Sequence, residues 1–319
     1  MRKVLALAAL FFLLAVIMPA FGDHPKTAIR NGIITAKVYL PNATTGYYRG
    51  TRFDWSGVIY SLQHDGHEYF GEWQQSDDPY LHDRITGPVD SFDVDTEIDD
   101  DESFLRIGVG VCAKRTDQSV IKHPFRIVNS GNWKIRQGAN WIEFIHQLDD
   151  EATGHAYRYV KRMTLTPSKA ELVIDHSLEN LGTRTIETSV YNHNFFVMDG
   201  QPTGPDFVVR FPFQPVADRD LNGLAELHGK ELSYVREVEP GRQIFTLLTG
   251  FGSGLDDSAF SIENRKIAAG VRSRWDRPIE KMQYWSPRTT LCPEPFLKLN
   301  VESGHSDRWS NQYTFYSLD

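Results

Sequence analysis

The run Ser189-Val190-Tyr191-Asn192-His193-Asn194-Phe195-Phe196 places one imidazole between two amides and encloses the trio in aromatic and β-branched residues. An imidazole titrates near neutrality and can hand over or take up a proton, which makes His193 the first candidate for chemistry. In an extended strand Tyr191, His193 and Phe195 share one face, and Asn192, Asn194 and Phe196 share the other. A histidine packed into a core fits the same run. A second group, His64-Asp65-Gly66-His67-Glu68, brings two imidazoles and a carboxylate close in sequence, as a metal site would need. Read as one strand, that spacing sends His64 and His67 to opposite faces, so no metal is expected. The acidic run from Asp93 to Glu102 reads as a solvated loop, with Ca²⁺ chelation the weaker alternative. Cys112 and Cys292 lie far apart in the chain, and nothing in the sequence fixes whether they pair.

The elements that must carry these residues are strands. Period-two alternation appears at 33–40, 104–111 and 141–148, and again at 157–165, 170–178, 185–196, 207–213, 243–251, 259–264, 268–275, 281–285 and 312–317. Turn signals such as Pro167-Ser168, Asn180-Leu181-Gly182 and Glu239-Pro240-Gly241 separate them. After the first residues no long helical periodicity competes. The expected fold is all-β: a large antiparallel β-sandwich whose concave face holds a ligand.

Residues 1–22 combine Arg2 and Lys3, an apolar run and a small-x-small ending at Ala20-Phe21-Gly22, the pattern of a cleaved secretory signal. Residues 23–319 are then expected as one domain, secreted or periplasmic, monomeric and without a stable membrane anchor. The net charge of -8 argues against nucleic acid or an anionic membrane as partner.

Residues 161–183 read as a hairpin followed by the turn Leu178-Glu179-Asn180-Leu181-Gly182, and the next strand ends in Asn192-His193-Asn194-Phe195-Phe196. Near the end of the chain stand Leu291-Cys292-Pro293-Glu294-Pro295-Phe296, the turn Ser303-Gly304 and a closing Tyr313-Thr314-Phe315. In order and spacing these segments resemble the aldose 1-epimerase family, also called galactose mutarotases. The resemblance implies a galactose mutarotase-like supersandwich, no cofactor, a free sugar or oligosaccharide as partner, His193 as general acid and Glu294 as general base. Such a pair suffices for anomer exchange, in which the C1 hydroxyl loses a proton, the ring oxygen gains one, and the ring opens and recloses on the other face. Pro293 and Pro295 restrict the backbone around Glu294, consistent with a fixed carboxylate.

By the same resemblance, residues 47–57 match a substrate-binding region, with Arg52 and then Asp54 as candidates. A salt bridge between the two would be the purely structural alternative. Trp285 and Tyr284 could stack on a sugar ring, or pack in the core. The family's Asn-His-Gly-Gly segment is missing, and His82, His123 and Lys114 are the candidates to replace its histidine. Its substrate-binding aspartate is also missing, which argues against galactose or glucose as substrate; the missing histidine leaves room for a non-catalytic carbohydrate-binding protein, and related sandwiches for a relative of polysaccharide lyases and hydrolases.

Overall fold

The computed structural model describes residues 24–93, 103–113 and 124–318. Two antiparallel sheets make the body. Across the larger, ten strands run in the order Ala225–His228, Glu231–Tyr234, Phe207–Arg210, Ala259–Asn264, Ala269–Trp275, Ser306–Ser317, Glu171–Asn180, His155–Leu165, Trp141–Asp150 and Asn132–Gln137. The smaller has six, Val216–Ala217, Gln243–Thr249, Lys281–Pro287, Cys292–Val301, Ile186–Phe195 and Gly87–Phe92. Four strands (Lys26–Arg30, Ile34–Tyr39, Val58–His64 and His67–Glu68) and three more (Ser103–Arg106, Gly110–Ala113 and Arg126–Asn129) complete the described chain. Among the described residues the only helical element is one 3₁₀ turn, Leu255–Asp257. The all-β antiparallel sandwich expected from the sequence is the fold observed.

Alternation explains the layers. In Glu171–Asn180 the side chains of Leu172, Ile174, His176 and Leu178 are buried, and their neighbours are at least partly exposed. In His155–Leu165 the inward row is Tyr157, Tyr159, Lys161, Met163 and Leu165. A lysine therefore occupies a core position. Its Nζ lies 2.6 Å from Asp90 of Gly87–Phe92 and 3.2 Å from Asp54, and all three side chains are fully buried. Burial opposes the lysine's charge, but the two aspartates outweigh it and raise its pKa. Burial pushes Asp54 up, whereas Lys161 holds Asp90 below the usual carboxylate range against its own desolvation. The two sheets are thus tied by an ion pair in their shared interior.

Two local expectations are corrected. Residues 104–111 form a hairpin, Ser103–Arg106 and Gly110–Ala113, because the chain turns at Gly108 with a φ of 77°. The Gly108 amide donates to the Tyr157 hydroxyl at 3.1 Å, and a Cβ at this position would collide with the Asp54 carboxylate. His64 and His67 are cross-strand partners around a turn whose central residues, Asp65 and Gly66, both have positive φ, so they do not lie on opposite faces of one strand. His67 is 2.7 Å from Asp199, and the described residues contain no group of three or more potential metal ligands. Cys112 and Cys292 are free thiols buried in one apolar cluster with Phe53, Val89 and Phe195.

Candidate functional site

His193 and Glu294 meet because of how their strands pair. Ile186–Phe195 and Cys292–Val301 are antiparallel from Ile186 and Val301 to Tyr191 and Phe296. Regular pairing then stops, and one isolated bridge, Phe196 with Leu291, restores it in the same register. Across that interruption His193 stands opposite Glu294. Phe196 and Leu291 exchange both backbone hydrogen bonds at 3.4 Å, so alternation makes His193 and Glu294 a non-hydrogen-bonded pair, the type that brings side chains closest. The Nε2 of His193 lies 3.3 Å from Oε1 of Glu294.

The prolines cause the interruption. Pro293 and Pro295 occupy positions whose N–H groups would face the carbonyls of Asn194 and Asn192, and proline has no N–H. Side chains and a tight turn take over the lost roles. The Asn194 side-chain amide donates to the Asn192 carbonyl at 3.2 Å and to the Pro293 carbonyl at 2.8 Å, while the Phe196 amide donates to the Asn194 carbonyl at 2.9 Å. Both asparagines turn away from His193, as the alternation requires. The Tyr313 hydroxyl lies 2.6 Å from the Oδ1 atoms of both, and Asn192 Nδ2 donates to Asp90 at 3.1 Å.

On the other face the surroundings are aromatic and nearly dry. His193 stacks on Phe195 with ring centroids 3.9 Å apart and meets Phe53 and Trp285 edge-on at 5.6 and 5.5 Å. Trp73 stacks on Phe195 and touches Trp285. His193 is 3% exposed and Glu294 0%. Gln283, the cross-strand neighbour of Glu294, donates to its Oε2 at 2.8 Å, whereas Oε1 of Glu294 and Nδ1 of His193 make no hydrogen bond.

Burial decides the charges of the pair. It pushes the Glu294 carboxyl up to about 8, against the attraction of Arg52, and it lowers His193 well below its usual value, with Arg52 and His82 adding to the effect. Both shifts favour the uncharged forms, a protonated carboxyl on Glu294 facing a neutral imidazole. The sequence expectation of carboxylate base and imidazolium acid has the same proton count with the proton on the other partner.

Arg52 forms the polar rim. Its guanidinium donates to the Tyr191 hydroxyl through Nε at 3.2 Å and Nη2 at 3.0 Å, while Nη1 donates to Asp83 and to Nε2 of His82, the latter at 2.7 Å. A guanidinium only donates, so that ring nitrogen of His82 accepts. Arg52, His82 and Asp83 are each about a quarter exposed. Backbone bonds hold the segment in place: Ser91 Oγ donates to the Arg52 carbonyl at 2.9 Å, and the Asp54 amide to the Asp90 carbonyl at 2.9 Å.

Of the residues singled out from the sequence, His193, Glu294, Arg52, His82 and Trp285 come together. Asp54 does not: it is the buried partner of Lys161, and the salt bridge to Arg52 does not form. Tyr284 is also placed elsewhere, fully buried with its hydroxyl 2.6 Å from that of Tyr234. Lys114 and His123 lie outside the described residues. Asp83, Gln283 and Trp73 were not singled out. Gln283 could have been found as the residue two before Trp285, on the same face of a strand running beside Glu294, whereas Asp83 and Trp73 sit in irregular segments that carry no periodic signal.

No protein-family model matches the sequence, and no curated protein is detectably similar to it. Solved structures do match over nearly the whole chain. A galactose mutarotase-like protein from Clostridium acetobutylicum superposes with a TM-score of 0.61 at 13% identity, covering 94% of this chain and 98% of its own. For a putative aldose 1-epimerase from Escherichia coli K12 the TM-score is 0.55 at 11% identity, covering 92% and 100%. An aldose epimerase homologue from Caenorhabditis elegans gives 0.55 at 10% identity, covering 92% and 99%. The chain therefore has the galactose mutarotase-like fold.

Proposed function

We propose that this protein is a cofactor-independent carbohydrate epimerase of the aldose 1-epimerase type, exported by its N-terminal signal and acting on a free sugar or oligosaccharide. One observation carries the reading: a carboxyl and an imidazole, both almost fully buried, whose Oε1 and Nε2 lie 3.3 Å apart while neither Oε1 nor the imidazole Nδ1 makes a hydrogen bond to the rest of the protein. Such groups are costly to bury without partners, and a reacting hydroxyl and ring oxygen would supply them. The single proton of the pair provides the required inventory. When it passes from Glu294 to His193, the Glu294 carboxylate takes the C1 hydroxyl proton and His193 protonates the ring oxygen; the C1–O5 bond breaks, the open chain rotates about C1–C2, and reclosure returns both protons. Arg52 and His82 would bind sugar hydroxyls at the rim, and Trp285 and Trp73 would face the apolar side of the ring.

The contact between His193 and Glu294 also supports a second reading, a carbohydrate-binding protein without turnover, because no sugar atom lies between acid and base while they touch. Exchange spectroscopy by NMR across a panel of free sugars, sugar acids and oligosaccharides separates the two. Under the epimerase reading, wild type accelerates anomer exchange of at least one sugar, and His193→Asn or Glu294→Gln lowers the rate by at least about 10²-fold while binding persists. Binding with no acceleration by wild type sinks the epimerase and leaves the second reading.

A further inference from the structure

We propose that Asn194 is a positioning residue: its side-chain amide replaces the strand pairing that Pro293 and Pro295 abolish and so holds His193 and Glu294 in register. The inference rests on the catalytic reading of that pair. Asn194 is fully buried and its side chain points away from the imidazole, so it has no place in the chemistry itself. Its Nδ2 reaches the Asn192 carbonyl, left without a ladder donor by Pro295, and the Pro293 carbonyl across the gap, at 3.2 and 2.8 Å. These two carbonyls flank the candidate acid and base on their own strands. One side chain therefore clasps both strands at the place where the backbone cannot.

The clasp is itself held from behind. The Tyr313 hydroxyl sits 2.6 Å from Oδ1 of both Asn194 and Asn192 and shares its one proton between them, and the two carbonyl acceptors complete the orientation in which the Asn194 Nδ2 faces them. Asn311 donates to the same hydroxyl at 2.9 Å. This orientation is the only one in which the amide nitrogen points at acceptors and the amide oxygen at a donor. Without it, the Asn192 carbonyl would lack a donor in the buried interior and the tie to the Pro293 carbonyl would be lost, leaving the strands free to slide or part by a fraction of a strand spacing. Proton transfer is sensitive to displacements of that size.

The test compares wild type, Asn194→Ala and the double variant Asn194→Ala/Pro295→Ala, in which residue 295 regains an N–H facing the Asn192 carbonyl. Two quantities are read: anomer exchange of a sugar that wild type turns over, and the titration midpoint of the Glu294 carboxyl from its side-chain ¹³C signal. We expect Asn194→Ala to lower kcat by at least about tenfold with little change in KM, and to move the midpoint down toward the ordinary glutamate range as water reaches the gap. The double variant should recover most of both losses. An Asn194→Ala protein with unchanged kcat and midpoint, or a double variant that recovers neither, overturns the proposal. If the single variant does not fold, a folded double variant with a near-wild-type midpoint supports it and an unfolded one overturns it. If wild type exchanges no sugar, the epimerase reading fails, while the midpoint comparison still decides the role of Asn194.

Discussion

Replacing Glu294 by glutamine should stabilise the protein, increasingly so as the pH rises from about 4.5 to 8. A buried carboxyl titrating near 8 binds its proton more tightly in the folded chain than in the unfolded one, where the ordinary value of 4.5 applies. The stability this proton confers is complete below about 4.5 and is lost as pH rises through 8. At about 1.4 kcal/mol per pH unit, the loss amounts to roughly 3 kcal/mol by pH 7 and about 5 kcal/mol in full. Glutamine cannot ionise and escapes it. The amide also suits the site: its oxygen can accept from Gln283 as Oε2 does now, and its nitrogen can donate to Nε2 of His193. Urea unfolding of wild type and Glu294→Gln at pH steps from 4 to 9 measures the difference, in which other titrating groups cancel. A difference that stays flat with pH, or that turns against the variant as pH rises, would mean that Glu294 is ionised in the folded protein, and the one-proton account of the pair would be wrong.

Three further outcomes are expected. For the sugar that wild type turns over, kcat/KM should hold level to about pH 8 and fall above it as the pair loses its one proton; a rise through pH 8 would contradict this. Lys161→Met should destabilise the fold by about 3–5 kcal/mol in urea unfolding by leaving Asp90 and Asp54 without their cation, and a cost under about 1 kcal/mol would show that the pair is not an ion pair in solution. Thiol titration without reductant should find both cysteines unreactive in the native protein and both reactive after unfolding, whereas no reactive thiol after unfolding would reveal a disulfide.

The strands most legible in the sequence are those buried on one face only. Glu171–Asn180 and His155–Leu165 alternate cleanly because one side meets the core and the other meets solvent. Gly87–Phe92, with the sequence GPVDSF, is buried at every position and opens with glycine and proline, so neither periodicity nor propensity announces it. Its Asp90 looks like a turn residue until Lys161, distant in sequence, is seen to neutralise it. His193 stands out by its own run and Glu294 by the resemblance of its Pro-Glu-Pro segment to the aldose 1-epimerases, and strand register brings the two together. The rim could not be read as fully. Arg52 and His82 were identified, but Asp83 and Trp73 reach the site from an irregular segment whose path is set by tertiary contacts such as the Trp73 indole donating to the Ile85 carbonyl at 3.1 Å. Asp54 misled for the same reason: position in the sequence gave no sign that its neighbour in space is a buried lysine.

That lysine has a consequence for assembly. Apolar faces attract one another in many alignments, and two greasy sheets could settle in several offsets of similar energy. Lys161 and Asp90 disfavour the offsets that part them, because each leaves a buried charge without its partner at a cost of several kcal/mol. The pair works as a key and its lock: its net grip is small, but it favours the one alignment in which the charges meet, which is what a site built from residues far apart in the chain requires.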